Sequence, residues 1–270
     1  MSNQAFQFIG SIPEYYDYGL GPYIFADYAA HLARRVAAAK PARVLEIAAG
    51  TGIVTRQLRD ALPVSTHLVA SDLKSPMLEI ARRKFKAGEK VDFQPVDATA
   101  LPFDNGAFDA VVCQFGVMFF PDKDKSYREV HRTLTAGGRY LFNVWDSFAF
   151  NPFARIAHET IAGFFKQDAP GFYKVPFGYN QIDSIKASLE AAGFAEVDAK
   201  VLKFDKEIPE ARRFAEGLVL GNPVIDEIRS RGTADQEAVV AAVTAALHSA
   251  FGQDPGRMPL QAIVFSALKR

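Results

Sequence analysis

From about residue 42 onward, short apolar runs alternate with stretches whose apolar residues recur every three or four positions. That is the pattern of strand–helix–strand units and a parallel sheet. ARVLEIA (42–48) predicts a first strand, the turn AGTG follows, and a helix is expected over 53–62. HLVASD (67–72) predicts the second strand, with Ser75 as N-cap and Pro76 opening a helix that runs to Lys86 and stops at Gly88. VDFQPVD (91–97) reads as the third strand, in which Pro95 implies a bulge or an early end. FDAVVCQF (108–115) is almost continuously apolar and suits a fourth strand covered on both faces. A helix over 123–135 stops at Gly137-Gly138, and RYLFNVWD (139–146) predicts the fifth strand.

After Asp146 the regular alternation stops. Residues 148–180 read as a Phe-rich helix and loop, and 181–194 as an amphipathic helix closed by Gly193. EVDAKVLKFDKEI (196–208) alternates like a strand. Residues 209–252 look helical, with a break at Gly221-Asn222-Pro223 and a second helix over 235–251, and LQAIVFSAL (260–268) is a last strand. No repeat or low-complexity tract interrupts the chain. The elements predict an α/β fold with a Rossmann-like, seven-stranded, mostly parallel sheet, helices on both faces, and additional helical cap elements.

The 270 residues carry 31 Lys+Arg against 31 Asp+Glu, with a pI near 7.0. No basic excess is present to displace phosphate counterions or to hold an anionic membrane, so neither a nucleic-acid partner nor a polybasic surface role is expected. A hydrophobic share of 49% and a charged share of 23% describe a chain that folds around a core. Cys113 is the only cysteine, which excludes an internal disulfide and any CxxC metal or redox motif and favours a reducing compartment. The start of the chain lacks a basic-then-apolar leader, and no run approaches the roughly 18 apolar residues of a membrane span. A soluble cytoplasmic protein with no membrane span and no metal is expected, and a homodimer is compatible with this composition.

The segment VLEIAAGTGIVTRQL places Glu46 at the end of the first strand and turns through Gly50-Thr51-Gly52 into a helix. Glycines let a ligand approach the backbone there, and the helix start offers N–H donors. Asp72 closes the second strand, twenty residues beyond Gly52, where a carboxylate at the sheet edge can accept both hydroxyls of a ribose. Together these point to an adenosine-containing ligand. A dinucleotide needs GxGxxG/A, whereas Thr55 stands at the third position and Glu46 would face the phosphates. S-adenosyl-L-methionine brings a sulfonium and an ammonium without phosphate, and an acidic residue at that strand end complements it. No Lys or Arg lies between Ala48 and Thr55, which points the same way.

Glu46-x-Ala-x-Gly50-x-Gly52, Asp72, VDATALPFDNGAFDAVVCQF and REVHRTLTAGGRYLF together resemble the class I S-adenosylmethionine-dependent methyltransferases. The likeness is particularly to the small-molecule group related to ubiquinone and menaquinone biosynthesis, the methyltransferase type 11-like enzymes. The resemblance covers roughly residues 42–146, with weaker similarity through 181–208 and the last strand. It implies that Glu46 faces the amino group of the cofactor, that Gly50 and Gly52 pass under its methionine moiety, and that Asp72 holds the ribose. Leu73 would pack on the adenine, Asp97 and the Ala98 N–H would read the adenine edge, and Gln114 and Phe115 would sit beside the methyl group. Two departures stand out: Ala48 replaces the family's first glycine, and Met118-Phe119-Phe120 stand where many relatives carry a histidine. The resemblance divides the chain into a helical lid (1–40), a cofactor-binding core (41–147), an aromatic-rich cap insert (148–180) and the rest of the sheet (181–270) with a helical insert at 209–252.

Methyl transfer is an in-line displacement that needs the acceptor held at about 3 Å in a dry site, and a general base only where the acceptor must lose a proton. His31 and His158 are the candidate bases, both on helices expected over the cleft. Aromatic residues are unevenly spread: residues 6–28 hold eight of the 33 and residues 140–180 hold twelve. The first group includes Tyr15, Tyr16, Tyr18, Tyr23 and Tyr28, which predict an aromatic lid. Tyr16, Tyr23, Met118, Phe153, Phe172 and Phe177 are the expected walls of an apolar acceptor pocket. The reading is a methyltransferase acting on an apolar small molecule, with an aromatic acceptor favoured. Two alternatives stay open: a binding module for the same cofactor without transferase activity, acting as a sensor or interaction protein, and an NAD(P)-dependent oxidoreductase.

Overall fold

The computed structural model describes residues 7–232 and 234–270. Its sheet has seven strands: β1 (Arg43–Glu46), β2 (His67–Asp72), β3 (Asp92–Pro95), β4 (Phe108–Gln114), β5 (Leu134–Trp145), β6 (Ala195–Ile208) and β7 (Gly256–Leu268). They lie in the order β3-β2-β1-β4-β5-β7-β6. Only β7 runs antiparallel, paired with both β5 and β6. The expected α/β architecture is therefore present. The chain runs outward from β1 through β2 to β3 and then crosses back to β4, which makes the gap between β1 and β4 the switch point where such sheets bind ligands.

The near-continuous apolar strands arise because both faces are covered. On one face Val44, Leu68, Ala110 and Val112 pack under Leu32 and Val36 of α2 (Ala26–Ala38) and Val54 and Leu58 of α3 (Ile53–Ala61). The alternate positions Leu45, Val69, Val111 and Cys113 face the other way. They join Tyr127 and Val130 of α5 (Lys123–Thr133) and Ile185 and Leu189 of α7 (Ile182–Ala191).

Several boundaries differ from the sequence expectation for identifiable reasons. Lys74, rather than Ser75, takes the N-cap of α4 (Ser75–Arg82), because the Asp72 side chain accepts the Lys74 N–H at 2.8 Å and organises that entry itself. The helix stops short of Lys86 because Phe85 turns back to pack edge-on against Phe93, with the Arg56 guanidinium 4.5 Å above its ring. β3 ends at Pro95. β5 begins at Leu134, which pairs with Phe108 before the register shifts and regular pairing resumes at Arg139.

The remaining helices gather over the carboxyl edge of the strands. α1 (Ile12–Gly19) leads through a π-helical turn (Gly21–Phe25) into α2, and α6 (Pro152–Ala162) follows β5. Between β6 and β7 the chain makes α8 (Ala211–Leu220), α9 (Val224–Arg231) and α10 (Gln236–Phe251). α1 lies backbone to backbone on α8. A Cβ on Gly19 would come within 2.6 Å of the Gly217 Cα, and one on Gly221 within 2.7 Å of the Tyr16 nitrogen. Only glycines allow that approach, which the Tyr18 hydroxyl bond to Glu216 and the Arg213 bond to the Tyr18 carbonyl reinforce. At the sheet's far edge β6 presents Glu196, Asp198, Lys200, Lys203, Asp205 and Glu207 to solvent, and its register shifts between Ala195 and Asp198.

Candidate active site

Strand ends bring the acidic residues together. Glu46 closes β1, Asp72 closes β2, Asp97 follows β3 and Gln114 closes β4, all on the carboxyl edge. The turn after β1 is wound by three left-handed residues, Ala48 (φ +52°), Gly50 (φ +56°) and Gly52 (φ +77°). For Ala48 that conformation costs about 1 kcal/mol. Its methyl faces Gly116: a Cβ there would lie 2.4 Å from that of Ala48. The side chain gained at the turn is thus matched by one forgone across from it. Gly50 has open space in front of it, with only the Met77 methyl 3.5 Å from a built Cβ. Gly52 instead packs against α4, where a Cβ would strike that of Ala81 at 2.7 Å.

Glu46 is 1% exposed, and its Oε2 has no hydrogen-bond partner among the described residues. Burial pushes its carboxyl up to about 8, against the opposing pull of the neighbouring Thr55 hydroxyl. Thr51 also buries its hydroxyl beside it, without a partner among the described residues. Asp72 accepts the Gly50 N–H on one oxygen and the Lys74 N–H on the other, both at 2.8 Å, and burial raises its pKa. Each carboxylate oxygen keeps a lone pair for a further donor. Asp97 accepts both the N–H and the hydroxyl of Thr99 on Oδ1 at 2.8 Å, so it shapes the turn at which it stands. Gln114 donates to the Phe25 carbonyl at 3.2 Å and ties the N-terminal region to the end of β4. Phe115 (φ +52°) is held by the Asn143 carbonyl and side chain, each 3.1 Å from its N–H, and stacks on Trp145 at 3.9 Å.

Two cavities meet over this edge. A cleft of ≈ 840 Å³ is lined by Ala48, Gly50, Asp72, Leu73, Asp97, Ala98, Gln114 and Phe115, together with Phe8, Lys74 and Met77. Glu46 sits at its inner end with Thr51 and Gln114. Beside it lies a chamber of ≈ 460 Å³ walled by Tyr16, Phe25, Met118, Phe153, Phe172, Tyr173, Phe177 and Leu218. Phe8, Tyr16, Phe115 and Phe119 border both.

The structure leaves other expected residues out of these cavities. Gly52 lines neither. Tyr23 is buried against Phe214, with ring centroids 5.1 Å apart, and its hydroxyl donates to the Glu210 carbonyl, so it serves packing. Of the five N-terminal tyrosines only Tyr16 reaches the site: Tyr18 bonds Glu216, Tyr15 packs on Tyr18, and Tyr28 is buried against Phe204. His31 and His158 line neither cavity, contrary to the expectation that they overhang the cleft. Each lies beside, not on, the buried stripe of its helix, and the His158 ring stacks on Phe148 at 5.7 Å. Burial lowers the pKa of both.

With this geometry in place, comparison with known proteins becomes specific. The methyltransferase-domain family profile matches residues 44–138. The demethylmenaquinone methyltransferase of Clavibacter sepedonicus is 31% identical over 183 residues, which cover 63% of this chain and 72% of that protein. The chain belongs to the S-adenosylmethionine-dependent methyltransferases related to ubiquinone and menaquinone biosynthesis. The demethylmenaquinone methyltransferase of Thermus thermophilus is 45% identical over 102 residues, but the match spans only 37% of this chain and 46% of that protein. Among solved structures, phosphoethanolamine N-methyltransferase 2 of Haemonchus contortus, in complex with S-adenosyl-L-methionine, shares the fold. It aligns with a TM-score of 0.62 and 17% identity, over 100% of this chain and 60% of that one.

The cofactor of this family is S-adenosyl-L-methionine, and the residues of the methyltransferase fit it. An unpaired, buried carboxyl oxygen on Glu46 is a socket for an ammonium, which favours its ionised form, and it offers the phosphates of a dinucleotide no positive partner. Sequence reasoning missed Phe8, Lys74, Met77 and Asn222, which line the cavities from segments without a motif. Among the described residues no helix is long and apolar enough to cross a membrane.

Proposed function

We propose that the protein transfers a methyl group from S-adenosyl-L-methionine to an apolar aromatic small molecule by in-line displacement. The observation that carries this reading is the aromatic chamber opening onto the cleft, with Tyr16 and Phe115 as common walls. When bound, the cofactor supplies an electrophilic sulfonium methyl. Glu46 holds its ammonium, Gly50 and Ala48 let its methionine portion approach the backbone, and Asp72 accepts from the ribose. Leu73, Asp97 and Ala98 border the adenine, while Gln114 and Phe115 stand next to the methyl group. Met118, Phe153, Phe172 and Phe177 hold the acceptor ring and exclude water, so proximity and a dry site carry most of the acceleration. No histidine base is assigned. The relatives named for demethylmenaquinone support an aromatic acceptor.

In this reading residues 7–40 act as the lid, 41–147 as the cofactor core, and 148–180 with 209–252 as the acceptor cap; the first six residues of the expected lid lie outside the described ones. The single buried thiol supports a cytoplasmic location, and a homodimer is tested by light scattering. Labelled methyl transfer across phenols, amines and quinols tests the function. Incorporation into an aromatic acceptor is expected; S-adenosylhomocysteine binding with no transfer to any of them would favour a sensor instead.

A further inference from the structure

We propose that Asn222 is a specificity-determining residue that accepts a hydrogen bond from a hydroxyl or N–H on the acceptor, at the cap side of the otherwise apolar chamber. The inference rests on the methyltransferase reading and narrows its substrate class to donor-bearing aromatics. Asn222 stands in the turn between α8 and α9, is 7% exposed, and lines the chamber with Tyr173 and Leu218. Its Nδ2 lies 3.3 Å from the Leu218 carbonyl and 3.4 Å from both the Gly217 carbonyl and the Tyr173 hydroxyl.

The Tyr173 hydroxyl proton is already engaged by the Leu218 carbonyl at 2.6 Å, so toward Asn222 that oxygen can only accept. All three neighbours of Nδ2 are therefore acceptors, and the amide orientation follows: nitrogen toward α8, oxygen away from it. No donor among the described residues reaches Oδ1. Apart from Tyr16, Tyr173 and Trp145, whose indole N–H can only donate, the other walls of the chamber are apolar side chains. An acceptor on a side chain only 7% exposed, with no protein donor, penalises any ligand that displaces its water without supplying a donor. Sites of this kind reject the analogue lacking the polar group far more strongly than an apolar wall rejects a misfit methylene.

The test uses 2-naphthol and 2-methylnaphthalene, close in shape and different by one hydroxyl, titrated into protein saturated with S-adenosylhomocysteine. Wild type is expected to bind 2-naphthol at least about tenfold more tightly. Asn222→Leu is expected to bring that ratio below about threefold by weakening 2-naphthol alone, with S-adenosylhomocysteine affinity unchanged. The wild-type ratio stands as a test even where the substituted chain fails to fold. A wild-type ratio near one overturns the assignment, as does a variant that keeps the preference, or its loss in Tyr16→Phe instead. Absence of S-adenosylhomocysteine binding would overturn the methyltransferase reading as well, whereas normal binding without hydroxyl preference overturns only the role of Asn222.

Discussion

The cleft is made from strand ends and the turns that follow them, and its defining groups are carboxylates. The chamber draws walls from α1, the π-helical turn, β5, α6 and α8, and its defining groups are rings. In the cleft each polar group is placed by the backbone geometry of a few neighbouring residues, as Asp72 is by the Gly50 and Lys74 amides. In the chamber no wall is placed locally: Phe153, Phe177 and Leu218 face one another only because three separate segments pack. One region is therefore robust to changes in distant packing, and the other depends on it.

Gly217→Val breaks this contrast most severely, because its Cβ falls within 2.5 Å of the Gly19 backbone and drives α1 from both cavities. Overpacking of this kind costs about 3 kcal/mol, read by urea unfolding, and S-adenosylhomocysteine and acceptor affinities should fall together. Glu46→Gln tests the cleft alone. Loss of a charge-assisted contact predicts roughly 2 kcal/mol, about thirtyfold, in S-adenosylhomocysteine affinity by calorimetry.

The same substitution carries a pH signature. The Glu46 pKa is raised by folding from 4.5 to about 8, so its contribution to stability is complete below its unfolded value and is lost as pH rises through about 8. The ligand-free Glu46→Gln protein should therefore melt above wild type at pH 9 and lose that advantage below pH 5. Wild type should also release a proton on binding the cofactor at pH 7, a signal absent in the variant. Asp72→Ala should weaken binding at least tenfold, about 1.4 kcal/mol. Phe177→Leu should leave cofactor affinity within about twofold while raising the acceptor KM about fivefold, roughly 1 kcal/mol. If it weakened both ligands equally, the division between the two regions would be wrong. His158→Ala should change kcat by less than about twofold, since the ring touches neither cavity.

Legibility in the sequence followed the same divide. The order of strands and helices, the turn at residues 48–52, Glu46 and Asp72 were readable because period, glycine and strand-end position are local signals. The aromatic surplus pointed to the right segments, and of the rings expected to wall the pocket Tyr16, Phe153, Phe172 and Phe177 line the chamber, while Tyr23 fills the core. His31 and His158 show why. An element can be assigned from periodicity, yet which of its neighbouring flanks borders a cavity depends on how the helix is rotated against its partners. Asn222 was visible only as part of a helix break, since its role comes from the carbonyls of α8 and the hydroxyl of Tyr173.

The two ends of the sheet bear on how the molecule behaves at high concentration. β3 offers four residues and ends in a proline, which has no N–H to donate. β6 is long, but charged residues of both signs line its solvent side and an irregularity disrupts its start, so a foreign strand arriving there meets charge and a broken register. Growth by strand addition is disfavoured in both directions. In the folded molecule the borders of the sheet are thus poor templates for a further strand, which leaves the helical surfaces as the better ground for self-association.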